Sequence, residues 1–141
     1  MQVPILKQGP VLIATVQDAL TDADLHRLRD DLLQRVGTHR SLGVVLDVTA
    51  LDVLDSFAAR MLRTISHAVR MRGATTVIVG IQPGVAFAMV QLGLRLDGVD
   101  TALDLEDGLN MLARTIRSAD PTSTTNLAGL AGLAELEWID R

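Results

Sequence analysis

The strongest constraint on the fold is an alternation: short apolar runs of strand length, each followed by a stretch of helical spacing that ends near a glycine. Gly43-Val44-Val45-Leu46-Asp47-Val48 is apolar at successive rather than alternate positions, the pattern of a strand covered on both faces. Thr75-Thr76-Val77-Ile78-Val79-Gly80 reads the same way. Upstream, Ile5-Leu6-Lys7 and Val11 to Val16 are β-prone runs separated by Gly9-Pro10, which predicts an opening hairpin. A weak strand is expected near Val99 to Ala102.

Four helices separate or follow these runs. Thr21, with Asp24 three residues on, predicts a capping box for the first helix, whose Leu25, Leu28, Leu32 and Val36 share one face and which Gly37 is expected to end. The second runs from about Ser56 to Arg72, with Phe57, Ala58, Met61, Leu62, Ile65 and Val69 inward and Gly73 as terminator. Pro83 suits the first turn of a third helix that reaches Leu92, before Gly93. Asp104 caps a fourth, striped by Leu105, Leu109, Leu112 and Ile116. Helix and strand in alternation imply an α/β domain: a four- to five-stranded mixed, mostly parallel sheet with an opening hairpin and four helices.

At 141 residues the chain has room for one ordinary core. Residues 1–117 carry that domain; 118–126, rich in Ser, Thr and one Pro, read as a linker; 127–141 read as a Leu-Ala-Gly extension, a short helix or disordered. The net charge of −4 is concentrated late, where Asp120, Glu135, Glu137 and Asp140 outweigh Arg141. The remainder is close to neutral, so no nucleic-acid partner is expected. With two Phe, one Trp and no Tyr, few side chains suit stacking on bases or flavins. The start of the sequence lacks the pattern of a signal peptide, and no apolar run reaches the ~20 residues that cross a bilayer, so a cytoplasmic protein without membrane contact is expected.

Catalytic and cofactor signatures are sparse. There is no cysteine, no glycine-rich phosphate loop and no paired histidine spacing; His26, His39 and His67 lie far apart. No cofactor, no metal and no enzymatic activity are therefore expected. Ser66 and His67 are adjacent on a helix and so point about 100° apart, which does not suit a nucleophile and its base. Asp30-Asp31 and Glu106-Asp107 read as solvated pairs.

Two features remain. Between Asp55 and Asp97 there is no acid, whereas Arg60, Arg63, Arg70, Arg72 and Arg95 are present, and Arg60, Arg63, His67 and Arg70 share a helix face. This is either a solvated basic face or a docking surface for an acidic partner. At the start of the same helix stands Leu54-Asp55-Ser56-Phe57, where Asp and Ser by themselves suit caps that satisfy free backbone N–H groups.

Around this junction the sequence resembles the STAS family, shared by anti-sigma factor antagonists and sulfate transporters, over about residues 3–117. The resemblance rests on Val44-Val45-Leu46-Asp47, Asp55-Ser56 opening a helix, and Gly73-Ala74 before the next strand. Val79-Gly80-Ile81-Gln82-Pro83-Gly84-Val85-Ala86, Leu92-Gly93 and Asp100 to Leu109 are similar to the stressosome branch. Pro4-Ile5-Leu6-Lys7 resembles its small, STAS-only scaffold subunit. The segment from Ser118 departs from the family pattern.

That resemblance implies a STAS fold in which Ser56 is the serine phosphorylated by a switch serine/threonine kinase and dephosphorylated by a cognate phosphatase. Asp47, Asp55, Phe57, Arg60 and Arg63 become switch-loop and kinase-interface candidates. The implied partners are that kinase, larger STAS co-antagonist subunits with sensory domains, and further copies in a large assembly. The larger subunits usually carry threonine where this sequence has serine. Two alternatives stay open: a free-standing anti-sigma factor antagonist that binds its anti-sigma kinase one to one, and a ligand-binding or transport accessory STAS domain.

Overall fold

A computed structural model of the chain describes residues 3–18, 20–96 and 98–119. Its elements, in chain order, are β1 (Ile5–Gln8), β2 (Val11–Thr15), α1 (Asp22–His39), β3 (Gly43–Asp47), α2 (Ser56–Met71), β4 (Thr75–Val79), α3 (Pro83–Gln91), β5 (Asp100–Ala102) and α4 (Leu105–Ala119). The five strands form one sheet in sequential order. β1 and β2 are antiparallel, joined through Gly9 at φ 57°, and every later pairing is parallel. The expected mixed, mostly parallel sheet is present, with five strands rather than four.

Strand alternation divides the core into two layers. Leu12, Ala14, Val44, Leu46 and Ile78 pack with Leu25, Leu28 and Leu32 of α1, Leu62 and Ile65 of α2, and Val85 and Met89 of α3. Val11, Ile13, Val45, Val77 and Val79 face Leu109, Leu112, Ala113 and Ile116 of α4. Successive apolar positions are thus explained by burial on both faces. Gly108 lets α4 settle closely, since a Cβ there would meet the Val79 side chain.

The Thr21 capping box forms: Thr21 Oγ1 accepts from Asp24 N and Asp24 Oδ2 accepts from Thr21 N, both at 3.1 Å. The end of α1 differs from expectation. Gly37 lies inside the helix, which continues to His39, and Arg40 takes the left-handed cap position at φ 51° with its N–H bonded to the Val36 carbonyl. A mid-helix glycine costs only about 1 kcal/mol, and here the missing Cβ leaves room for the Arg72 guanidinium. α2 ends at Met71, one residue before the expected Arg72, which forms the cap ahead of Gly73 at φ 92°.

α4 continues through Ser118 and Ala119, the first two residues assigned to the linker; the rest of the linker and the 127–141 extension lie outside the described residues. The buried stripe of α4 is complete at Ile116. A chain ended after Ala119 is therefore expected to melt within about 5 °C of the full chain. Calorimetry of the two forms checks this, and a larger loss would assign the extension a place on the core.

Candidate functional site

The parallel register aligns Thr15, Asp47, Val79 and Ala102 in one row, so the connections leaving β3, β4 and β5 emerge at the same edge of the sheet. There the β3–α2 loop is pinned from below by buried Val48, Leu51 and Leu54. Asp52, Val53, Asp55 and Ser56 face outward.

Side-chain hydrogen bonds fix the loop above those anchors. Asp47 accepts from Thr49 N at 3.0 Å and from Thr49 Oγ1 at 2.6 Å, a local turn that a short carboxylate favours. From the β4–α3 connection, Gln82 Nε2 donates to the Thr49 carbonyl at 2.7 Å and to Asp52 Oδ1 at 3.3 Å. Asp55 is the N-cap of α2, accepting from Ala58 N at 2.7 Å. Ser56 is the first helical residue and is exposed; among the described residues nothing hydrogen-bonds its hydroxyl. Its Oγ therefore stands free at the positive end of the helix dipole, next to the N-cap Asp55.

The other candidates divide. Phe57 is half-buried, its ring edge-on to His26 of α1 at 6.1 Å, so it ties the two helices together. Arg63 Nη1 donates to the Arg95 carbonyl at 3.4 Å and Arg70 Nη2 to the Gly98 carbonyl at 3.0 Å. Part of the basic face therefore also holds the α3–β5 connection. Arg60 is exposed one turn below Ser56. Ser66 is buried and donates to the Leu62 carbonyl at 2.8 Å. A small apolar cavity of about 60 Å³ opens beside Asp55 between Val16, Leu25, Val53 and Leu62.

Sequence reasoning missed Thr49, Gly80 and Gln82. The Asp-x-Thr spacing of Asp47 and Thr49 carried a readable turn signal, whereas the bond from Gln82 depends on the fold. Gly80 sits at φ 79°, and a Cβ there would collide with the Thr49 hydroxyl. Gly80→Ala is expected to destabilise by about 1–3 kcal/mol and to loosen the loop, read as a lower urea midpoint and faster exchange of the Thr49 amide. Gly84→Ala, in open space on α3, should by contrast be neutral or stabilising.

Among the described residues no group of three or more His, Asp or Glu is placed to hold a metal ion. No described helix is long and apolar enough to cross a membrane.

This architecture has known counterparts. The RsbT co-antagonist protein RsbRA of Bacillus subtilis (strain 168) is 37% identical over 83 residues, which make up 59% of this chain and 30% of that protein. The chain thus spans about a third of the length of the curated relatives it matches. A solved serine-to-glutamate variant of RsbS from Moorella thermoacetica is 34% identical with a TM-score of 0.70, over 82% of this chain and 97% of that one. A chain in the structure of the stressosome, described as a signal integration and transduction hub, is 35% identical with a TM-score of 0.69, over 81% and 99%. The chain is thus homologous to RsbR and RsbS proteins. The STAS domain model matches residues 2–107, most of the sequence and every strand of the sheet, and the chain belongs to that family.

Proposed function

We propose that this chain is a phosphorylatable scaffold of a partner-switching stress pathway: unphosphorylated, it sequesters a switch serine/threonine kinase, and phosphorylation of Ser56 releases that kinase. The observation that carries this reading is the free, exposed Ser56 hydroxyl at the first residue of α2, just after a loop held by side-chain hydrogen bonds. A kinase needs such a hydroxyl to align with the γ-phosphate, so catching the substrate and holding the scaffold use one surface. Exposed Val53 and the apolar cavity beside it give that surface a place for an apolar anchor. The sequence contains no glycine-rich phosphate loop, and in this reading the phosphate comes from a separate kinase.

Larger STAS co-antagonist subunits with sensory domains, a cognate phosphatase and further copies of this chain complete the assembly. Homology to RsbR proteins and to a stressosome chain supports these partners. Helix α3 adds to the case for assembly: it carries no charge, and Phe87 and Val90, with Leu92 at its end, are exposed.

Incubation with the switch kinase of the same organism and ATP, followed by peptide mass spectrometry, tests the reading. One phosphate on the peptide containing Ser56 is expected, together with loss of the kinase from the complex. Phosphate found only at other positions would overturn it. Ser66 cannot serve without opening α2, because its hydroxyl is buried.

A further inference from the structure

The arginines that separate α2 from the α3–β5 connection do more than hold a loop. Arg60, Arg63 and Arg95 line one cleft of about 230 Å³, with Ala59, Gly93 and Leu94 as its remaining walls. Two of the three come from successive turns of α2 and the third from the facing loop. Arg63 donates to the backbone carbonyl of Arg95, which brings these two residues against each other. Among the described residues no carboxylate pairs with any of the three, and the sequence contains no acid between Asp55 and Asp97.

Guanidinium groups stay charged at every accessible pH, so three arginines lining one concave space favour an anion there over a neutral group. Each offers a planar fork of N–H donors that fits two oxygens of a tetrahedral oxyanion. A carboxylate would offset one of the three charges, whereas a phosphate group near neutral pH offsets up to two. Gly93, at φ 69° and with open space where a Cβ would stand, keeps one wall low.

We propose that this cleft is a binding site for a phosphate-class anion, either free or carried on a protein side chain. The site is separate from the Ser56 hydroxyl and does not depend on that residue's being modified.

The test is a titration of the full-length, isotope-labelled protein with sodium pyrophosphate at fixed ionic strength, followed by amide chemical shifts. Saturable shifts are expected at Ala59, Arg60, Gly93, Leu94 and Arg95, with no matching response to sodium chloride. Arg60→Gln and Arg95→Gln, each exposed and on different elements, should each weaken binding about ten- to a hundredfold, the usual loss of one charge-assisted contact. Arg117→Gln on α4, outside the cleft, should bind as the unaltered protein does. A parallel titration with a peptide of residues 50–60 phosphorylated on Ser56 separates the sources. Tighter binding than pyrophosphate assigns the site to a phosphorylated side chain, and weaker binding assigns it to a free anion. Shifts that rise without saturation, or two cleft variants that bind as tightly as the parent, would overturn the proposal.

Discussion

Truncating Leu112 to alanine is expected to remove about 3–5 kcal/mol of stability, a large part of the ~5–15 kcal/mol that holds a domain of this size. Leu112 is 0% exposed and lies at the centre of the layer formed by α4, where its methyl groups reach Gly43 at the start of β3. α4 is the helix that covers Val45, Val77 and Val79, so a void under it has few neighbours able to move in. The loss should appear as a fall in melting temperature of roughly 10–20 °C, or an equivalent shift of the urea midpoint. Leu103→Ala, at 80% exposure, should change stability by less than about 0.5 kcal/mol. A loss below about 1 kcal/mol for Leu112 would mean that α4 packs loosely and that the sheet is stabilised mainly from its other face.

What could be read from the sequence was whatever depended on neighbours along the chain. The Thr21–Asp24 box, the doubly covered run at Val44 to Leu46 and the Asp55 cap each involve residues within four positions, and each forms. The end of α1 escaped because Gly37 is kept for a contact with Arg72, thirty-five positions away, and not for a turn. The basic stripe on α2 was legible as a face. Its bonds to the Arg95 and Gly98 carbonyls were not, since they depend on where the α3–β5 connection lies. Gln82 braces Thr49 across the sheet edge for the same reason. Ser56 stood out through family resemblance; its residue type and position alone fitted a cap, the role that Asp55 fills.

That division between Asp55 and Ser56 allows the switch to be separated from the cap. Phosphorylation of Ser56 is expected to weaken kinase binding at least about a hundredfold. A phosphate adds about −1.5 to −2 charge beside Asp55, and covering these charges with a partner costs several kcal/mol, at tenfold in affinity for each 1.4 kcal/mol. The fold itself should tolerate the modification, because the phosphate meets the helix dipole with about 0.3–1 kcal/mol in its favour. Ser56→Ala removes the acceptor while Asp55 still caps α2, so it should melt near the unaltered protein, resist phosphorylation and hold the kinase with or without ATP. Ser56→Asp carries roughly half the charge and no tetrahedral array of oxygens, so its binding should fall between the two. Asp55→Ala should show the reverse: about 1 kcal/mol less stability from the lost cap, with phosphorylation of Ser56 still possible. Calorimetric titration of the kinase against all four forms, beside their melting curves, checks the order. Equal affinity for the phosphorylated and unmodified chains would leave Ser56 a helix-terminal residue without a switching role.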